Sequence, residues 1–342
     1  MAEKVTLEDL ARMAGVHRST VSLALRNHPR ISTAMRDKIQ QLAHEHDYRI
    51  NPLVAALMQS RRSGTETRHV TLAFVTVYPT RYGWRPSHHS RPDFYPGAVE
   101  RARELGYSLE HFWLAEPGMT TERFCDILAT RNIHGLLIGR LPPGLSEIDL
   151  PWERFSSVAL GMTLRSPQLN FVTENHFDTA WQSMRQCYQR GCRRIGFVFS
   201  EEDDSPRVGN QWLSAYLGFH AKRFPDEAPR VCPQSPPTEE EFAEWYLRER
   251  PRTILATHAG PVLRWLEKLN VKVPDDVALI DLQADPELGC AGVFYEPARI
   301  GMLAVEMLIG LLHRNETGIP DHPHETLLSG RWRDGWSLPE RF

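Results

Sequence analysis

The sequence from residue 5 to residue 27 reads VTLEDLARMAGVHRSTVSLALRN, and it decides the fold of the N-terminal region. Thr6 offers a side-chain oxygen that caps a helix, and the carboxylates of Glu8 and Asp9 fall in the first turn, where they complement the helix dipole. The apolar residues at helical spacing are Leu7, Leu10, Ala11 and Ala14. Gly15 then interrupts the pattern, which predicts a first helix of about two turns.

Two more short helices are predicted after the first. The second fits residues 18–26, and its buried side consists of Val21, Ala24 and Leu25. The residues left facing outward are Arg18, Ser19, Ser22 and Leu23. The third helix is capped by Ser32, and its apolar face consists of Met35, Ile39, Leu42 and Ala43. Two short helices joined by a glycine-containing turn form a helix-turn-helix unit, and the third helix completes a small core.

A short apolar segment follows this head. Asn51-Pro52 is a favourable N-cap and N1 pair, the apolar run 53–58 follows it, and Arg61-Arg62 ends it. A helix of fewer than about twelve residues is marginal alone in water. We therefore expect this segment to need a partner helix and DNA in order to stay helical.

Composition separates a basic head from an acidic body. The chain has 342 residues and a formal net charge of −3. Its length predicts two or three domains. Residues 1–65 hold ten Lys or Arg and six Asp or Glu, a net charge of +4, which leaves −7 for the remainder. This asymmetry favours nucleic-acid binding at the N-terminal end.

Several classes of protein are disfavoured by the sequence. It has neither an apolar N-terminal signal nor a run of about 20 apolar residues, so a cytoplasmic location is predicted. The five cysteines contain no Cys-x-x-Cys pair, and the histidines lack ligand spacing, so we expect reduced thiols and no metal site. Because no phosphate-binding glycine loop or nucleophile elbow occurs, we predict no cofactor and no enzymatic activity.

The body is predicted to be an α/β structure. Short apolar runs such as 70–77, 133–139, 194–199 and 277–282 alternate with helical stretches. This alternation is typical of βαβ units and parallel sheets covered by helices on both faces. A second set of units begins with the strand at 170–173. The sequence therefore predicts two doubly wound halves with a cleft between them.

Ligands of open α/β sheets lie beyond the carboxyl ends of the strands. The residues in such positions are Tyr78, Arg140, Gln283 and the acidic run 201–204, with Trp84 and Tyr95 as possible stacking faces. An acidic run is usually a solvated loop, so a ligand role for Glu201 or Asp203 is the less favoured interpretation.

The motifs above resemble those of the lactose-repressor (LacI) family of bacterial transcription regulators. The matching stretches are 5–11, 14–16, 19–22 and Tyr48-Arg49-Ile50-Asn51-Pro52. The resemblance implies that Arg18, Ser19 and Leu23 read bases in the major groove. It also implies phosphate contacts by Thr6, Thr20, Ser22, Ser32, Arg36 and Asn51. Leu23 stands where the family commonly has arginine, so readout there would be apolar, for example against a thymine methyl group.

The resemblance extends to the hinge and the body. It implies that Leu57 is a wedge that enters the minor groove. It also implies a periplasmic-binding-protein-like core whose halves are joined by crossovers near Leu164, Tyr295 and Glu325. Gln283 falls where many relatives carry an aspartate that binds the effector, and Asn210 or Gln211 falls near a common effector arginine. The expected domains are a head at 1–48, a hinge and linker at 49–67 and a core at 68–342.

Together these features predict a sequence-specific regulator of transcription, most simply a repressor. It would bind a palindromic double-stranded DNA operator as a homodimer, and a small molecule such as a sugar would occupy the cleft between its two α/β halves. The effector-binding residues would include Tyr78, Tyr95, Arg140, Gln211 and Gln283. A small-molecule binding protein or an α/β enzyme with an accessory DNA-binding head stays open as the alternative.

Overall fold

The chain divides into two compact units in a computed structural model. One comprises residues 1–70 with 310–316, and the other comprises residues 71–309 with 317–342. The structure describes residues 5–25, 30–46, 48, 70–85, 93–199, 209–233 and 237–341, without the side chain of His44. The predicted hinge and linker at 49–67, which includes Asn51 and Leu57, lies outside the described residues.

The N-terminal head contains three helices: α1 (Leu7–Ala14), α2 (Arg18–Ala24) and α3 (Thr33–Glu45). Thr6 caps α1 in a capping box with Asp9, and Gly15 ends it in the left-handed conformation at φ 70°. Helix α2 is shorter than the predicted 18–26, because Leu25 is already its C-cap.

The three helices enclose one small apolar core. Leu10, Val21, Ala24 and Ile39 are fully buried at its centre, one or two from each helix. The Lys38 ammonium donates to the Ala14 carbonyl oxygen at 3.2 Å and so caps the end of α1 from α3. The predicted apolar faces of the first and third helices are therefore the ones that pack together.

The body alternates strands and helices. In chain order its elements are β1 (Val70–Thr76), α4 (Tyr95–Glu104), β2 (Tyr107–Trp113), α5 (Thr121–Thr130), β3 (Gly135–Ile138), β4 (Ser156–Leu160), β5 (Asn170–Glu174), α6 (His176–Gln189), β6 (Ile195–Val198), α7 (Gln211–Arg223), β7 (Arg230–Val231), α8 (Glu239–Glu249), β8 (Thr253–Ala256), α9 (Ala259–Lys268), β9 (Ala278–Asp281), β10 (Ala291–Phe294), α10 (Pro297–Arg314), β11 (Glu325–Leu328) and β12 (Arg331–Arg333). A single 3₁₀ turn at Trp152–Arg154 precedes β4.

Among the described residues, the strands form two sheets of six. The first has the order β11-β5-β4-β3-β1-β2 and the second has the order β12-β10-β9-β8-β6-β7. Strand β1 pairs parallel with β3, and the pairs β3–β4, β4–β5 and β5–β11 are parallel as well. In the second sheet β12 is antiparallel to β10, whereas β10–β9, β9–β8, β8–β6 and β6–β7 are parallel. We refer to the two sheets with their helices as the first half and the second half.

Each face of the second sheet has its own apolar core. Leu255 packs with Trp212 and Ala180, which belong to α7 and α6. The neighbouring residue Ile254 packs with Phe242 from α8 on the opposite face. Successive side chains of a strand point to opposite faces, so the sheet is buried on both sides, as the continuous apolar runs predict.

The chain passes between the halves at three places. The first is Asn175, between β5 and α6, and not the region near Leu164. The loop after Leu164 turns back, with the Arg165 amide donating to the Ser146 carbonyl oxygen at 2.7 Å. As a result β5 pairs with β4 and belongs to the first half, not to the second set of units.

The second passage follows β10 at Tyr295 and leads into α10. The third joins β11 to β12 through Ser329 and Gly330, a few residues beyond the expected position near Glu325. All five cysteines lie in the described part of the chain, where each is a buried free thiol. Across the described helices, none is long and apolar enough to cross a membrane.

Candidate functional site

The start of α2 presents polar side chains to solvent. The Arg18 side chain is 58% exposed, and its Nη1 lies 3.9 Å from the Glu8 carboxylate, which is a loose ion pair. Ser19 is exposed, and Leu23 is half-buried one turn later. The three residues predicted to read bases therefore include a long cationic side chain that is able to reach away from the head.

His17 fixes the start of α2, a role that the sequence patterns did not reveal. Its Nδ1 accepts the Ser19 backbone N–H at 3.3 Å and lies 2.9 Å from the Ser19 hydroxyl oxygen. A histidine is an unusual N-cap, which explains why a search for Ser, Thr, Asp or Asn before the helix misses it. The Ser19 hydroxyl is therefore held close to His17.

Several residues predicted to contact phosphate already have structural partners. The Thr6 hydroxyl donates to Asp9 at 2.6 Å, and Ser32 caps α3 by accepting the Met35 N–H at 3.4 Å. One Arg36 Nη donates to the Ile31 carbonyl oxygen at 3.3 Å, while its Nε is buried without a hydrogen-bond partner among the described residues. Thr20 and Ser22 are half-buried on α2. Caps and phosphate contacts can coincide at helix starts, because both use the same polar edge.

A second set of polar residues gathers where strands of the body end. The Tyr295 hydroxyl lies 3.4 Å from Glu174 Oε1 and 3.3 Å from Gln283 Oε1. Glu174 ends β5 in the first half, Gln283 follows β9 in the second half, and Tyr295 lies at the second passage between them. One hydroxyl group therefore joins the two halves. We call this set the polar cluster: Arg140, Glu174, His176, Gln211, Trp212, Gln283 and Tyr295.

His176 connects the two sides of the polar cluster. Its Nε2 lies 3.0 Å from Glu174 Oε1, without the angle of a directed hydrogen bond. Its ring stacks on Trp212 with ring centroids 4.2 Å apart. Trp212 lies in the first turn of α7, next to Gln211, and a Cβ on nearby Gly209 would meet Met162 of the first half at 3.7 Å.

Some buried polar atoms of the cluster have no hydrogen-bond partner among the described residues. They are His176 Nδ1 and Nε2, Gln211 Oε1, Trp212 Nε1 and Gln283 Nε2. Leaving a buried donor or acceptor unsatisfied costs about 1–3 kcal/mol, so such atoms normally have a partner. Their grouping marks a place where a polar ligand can supply hydrogen bonds.

Neighbouring groups stabilise the Glu174 carboxylate. Burial raises the pKa of the Glu174 carboxyl, but His176 and then Arg140 outweigh it and hold that pKa below its usual range. Arg140 follows β3, and its guanidinium carbon lies 4.9 Å from the centre of the Phe94 ring. A Cβ at Gly161, where φ is 74°, would meet the Arg140 side chain at 3.0 Å, so glycine makes room for it.

Asp281 fixes the position of Gln283, a member of the polar cluster. It is buried at the end of β9 and accepts the backbone N–H groups of Gln283 and Asp285, each at 3.2 Å. These bonds fix the turn that carries Gln283. Burial raises the pKa of Asp281 to about 6.

Tyr95 belongs to an aromatic group in the first half, and Tyr78 lies near the turn that carries Trp84. The Tyr95 ring lies 4.9 Å from Phe74 and 5.1 Å from Trp84, measured between centroids. Tyr78 precedes this turn, and its carbonyl oxygen accepts the Trp113 indole N–H at 2.8 Å. The structure brings Arg140 and Gln283 into the polar cluster and places Gln211 next to its member Trp212. Tyr95 instead contacts the aromatic group, and Tyr78 accepts a hydrogen bond from Trp113.

Four members of the polar cluster were missed by the sequence patterns: Glu174, His176, Trp212 and Tyr295. Glu174 ends β5 and His176 comes two residues later, so both lie at a strand end, where ligands of α/β sheets bind. Glu201 and Asp203, the alternative candidates, lie outside the described residues.

Comparisons with known proteins match both parts of the chain. The family model for "Bacterial regulatory proteins, lacI family" matches residues 6–51, and that for "Periplasmic binding protein-like domain" matches residues 184–338. The NTD biosynthesis operon regulator NtdR of Bacillus subtilis is 22% identical over 315 residues, covering 88% of this chain and 89% of NtdR.

Two solved structures share the fold. A complex of the transcriptional regulator CelR with cellobiose is 19% identical, with a TM-score of 0.55 over 98% of this chain and 100% of that one. The lac repressor dimer bound to operator and the anti-inducer ONPF is 15% identical, with a TM-score of 0.56 over 98% of this chain and 99% of that one. The helix-turn-helix head of this chain therefore matches the lacI family of bacterial regulatory proteins, and its body of two parallel-sheet halves carries a match to the periplasmic binding protein-like domain.

Proposed function

We propose that the protein is a sequence-specific transcription regulator that binds a palindromic DNA operator as a homodimer. The observation that carries the proposal is the exposed start of α2 on a compact three-helix head that matches the family model. One head covers few base pairs, and two-fold symmetry in the protein is mirrored by two-fold symmetry in the operator. The lac repressor dimer with its operator is the related precedent.

Within this proposal Arg18 and Ser19 read base edges, and Leu23 contributes an apolar contact. The guanidinium of Arg18 is able to form two hydrogen bonds to a guanine in the major groove. Thr6, Thr20, Ser22, Ser32, Arg36 and Asn51 position the head on the phosphate backbone. Their contacts supply affinity but no sequence information.

The polar cluster is the proposed effector site. Its unsatisfied donors and acceptors suit an uncharged polar ligand, because His176 and Arg140 already act on the Glu174 carboxylate. CelR with cellobiose and the lac repressor with ONPF are related proteins with small molecules bound. Ligand contacts from both halves would favour one arrangement of the halves over the other.

Regulation follows from a shift of population between two arrangements. A ligand that binds one arrangement about a hundredfold more tightly changes the equilibrium by about 2.7 kcal/mol. The hinge at 49–67 would carry this change to the heads, with Leu57 inserted in the minor groove. The relatives are regulators, not enzymes, and we infer that this chain likewise has no catalytic role and acts in the cytoplasm, where chromosomal DNA lies.

DNA binding under increasing salt tests the proposal. A palindromic site is first selected from random duplexes with the full-length protein. If about six phosphates are contacted, the logarithm of the affinity falls against the logarithm of the salt concentration with a slope of about −5. The control is the same duplex with one half-site scrambled. Equal affinity for both duplexes, or an affinity independent of salt, contradicts the proposal.

A further inference from the structure

An arginine of the first half lies among three aromatic rings. The Arg85 guanidinium carbon is 5.1 Å from the centre of the Trp84 ring and 5.9 Å from those of Tyr82 and Tyr95. Cations within about 6 Å of a ring centre are attracted by its negative face. We call the rings of Tyr82, Trp84 and Tyr95 the aromatic cage.

The cage is held in place without Arg85. Trp84 contacts the buried Phe74 ring at 4.9 Å and His111 at 5.3 Å, both between centroids. Its indole N–H donates to the Arg81 carbonyl oxygen at 3.1 Å, and the Gly83 N–H donates to that of Thr80 at 3.1 Å. The turn and the sheet therefore fix the rings, while the Arg85 side chain reaches them from an exposed position.

Two carboxylates and a second arginine, Arg81, lie near the cage. The carboxylates that act on Tyr95 are Glu110 on β2 and Asp93 before α4, and Asp93 Oδ1 accepts the Tyr95 N–H at 3.0 Å. Glu110 is also paired with Arg131. Burial, followed by Arg81 and Arg85, lowers the pKa of His111, so this imidazole is neutral at pH 7 and does not repel a cation.

We propose that the aromatic cage is a binding site for a small organic cation, such as a methylated ammonium group, and that Arg85 occupies the site until that cation displaces it. Each exposed cation–π contact contributes about two- to fivefold in affinity, so Arg85 is held weakly enough to be displaced. Tyr82, which is 59% exposed, closes the cage on its outer side. The site is independent of the DNA-binding role.

The test titrates choline into the full-length protein without DNA at constant ionic strength. Ring currents shift the choline methyl signal upfield in proton NMR when the methyl groups lie over aromatic rings. Arg85→Ala removes the internal competitor and is expected to bind choline about tenfold more tightly than the wild type. Arg81→Ala is the matched control, because the described contact of the Arg81 guanidinium with the cage is to one ring, Tyr82, at 5.8 Å.

Two further measurements define the site and its ligand class. Adding Tyr82→Ala to Arg85→Ala removes an exposed ring and should abolish the gain in affinity while the fold is retained. The uncharged analogue 3,3-dimethyl-1-butanol has the shape of choline and should bind at least tenfold more weakly to Arg85→Ala. Equal affinity of Arg85→Ala and Arg81→Ala for choline, retention of the gain without Tyr82, or equal binding of the uncharged analogue would each overturn the proposal.

Discussion

The side chains of the head differ in whether they contact the rest of the head or remain available to bind DNA. Arg18 has a loose ion pair and an exposed side chain, whereas Arg36 donates to a backbone carbonyl oxygen and buries its Nε. Both are arginines in the same head, yet only the first has a guanidinium that is available to a base. The resemblance assigns these two roles by position, and the structure adds the different contacts of the two guanidinium groups.

Arg18→Ala should reduce sequence preference more than total affinity for DNA. A base contact typically discriminates by about 1–3 kcal/mol, while a phosphate contact weakens all sequences alike. The measurement compares the affinities for the selected operator and for a scrambled duplex. Arg36→Ala is the matched variant and should lower both affinities by a similar factor. An equal loss on both duplexes for Arg18→Ala would contradict its assigned role.

Asp281 should make the body less stable as the pH rises from about 4 to 6. Burial raises the folded pKa to about 6 from an ordinary value of 3.8, so the folded state holds a proton that the unfolded chain releases. The stabilising effect is complete below pH 3.8 and is lost as the pH passes 6, and its full size is about 3 kcal/mol.

Urea unfolding of wild type and Asp281→Ala between pH 4 and pH 7 measures this effect. The variant loses the hydrogen bonds to the Gln283 and Asp285 amides and should be less stable at every pH. Its stability should nevertheless lack the decline between pH 4 and 6 that Asp281 contributes. Asp275→Ala, at an exposed position, is the control and should keep the wild-type pH dependence. Parallel curves for wild type and Asp281→Ala would show that Asp281 does not titrate in this range.

At the scale of elements, two helices of the first half cross at glycines. A Cβ at Gly97 of α4 would lie 2.0 Å from the Ala298 carbonyl oxygen, and one at Gly301 of α10 would lie 1.9 Å from that of Phe94. A Cβ atom at either position would therefore push the two helices apart. The crossing connects the start of α4, which holds Phe94 and Tyr95, to the helix that follows the second passage between the halves.

Gly97→Ala should therefore destabilise the body by about 1–3 kcal/mol, because overpacking at a backbone contact shifts both helices. Gly218→Ala is the matched control: it also lies within a helix, α7, but its Cβ would meet only Trp181 at 3.9 Å. That substitution should stabilise the protein by about 0.5–1 kcal/mol, since alanine is the better helix former. Thermal unfolding of both variants measures the difference in stability. A Gly97→Ala protein as stable as Gly218→Ala would show that α4 and α10 do not cross so closely.

Local sequence patterns predict the positions of helices and strands better than they predict which strands pair. The bounds of helix α1 and strand β1 agree to within a few residues with those predicted from capping and apolar runs. The membership of β5 does not, because pairing with β4 depends on a loop that turns back through hydrogen bonds to Ser146. The polar cluster depends on that pairing. Its contact between Glu174 and Tyr295 joins residues 121 positions apart, which no local pattern contains.

At the scale of the whole molecule, the proposed mechanism has the body act on DNA through the hinge. Residues 51–60 are too few to form a stable helix alone, so we expect them to gain structure only on the operator. Hydrogen exchange of this segment with and without the selected operator is the measurement. Strong protection in the absence of DNA would show instead that the hinge is a fixed linker.

Leu57→Ala should reduce both DNA bending and operator affinity and leave the stability of the body unchanged. An apolar side chain inserted between base pairs offsets part of the unstacking energy, about a few kcal/mol per step, and the bend brings more of the protein surface to the DNA. Bending is measured by fluorescence transfer between the ends of an operator duplex, and Ser60→Ala in the same segment is the control. If Leu57→Ala bends the operator as the wild type does, either the wedge is another residue or the operator is bound without a kink. In the second case the apolar run 53–58 would serve the contact between the two hinge segments of the dimer.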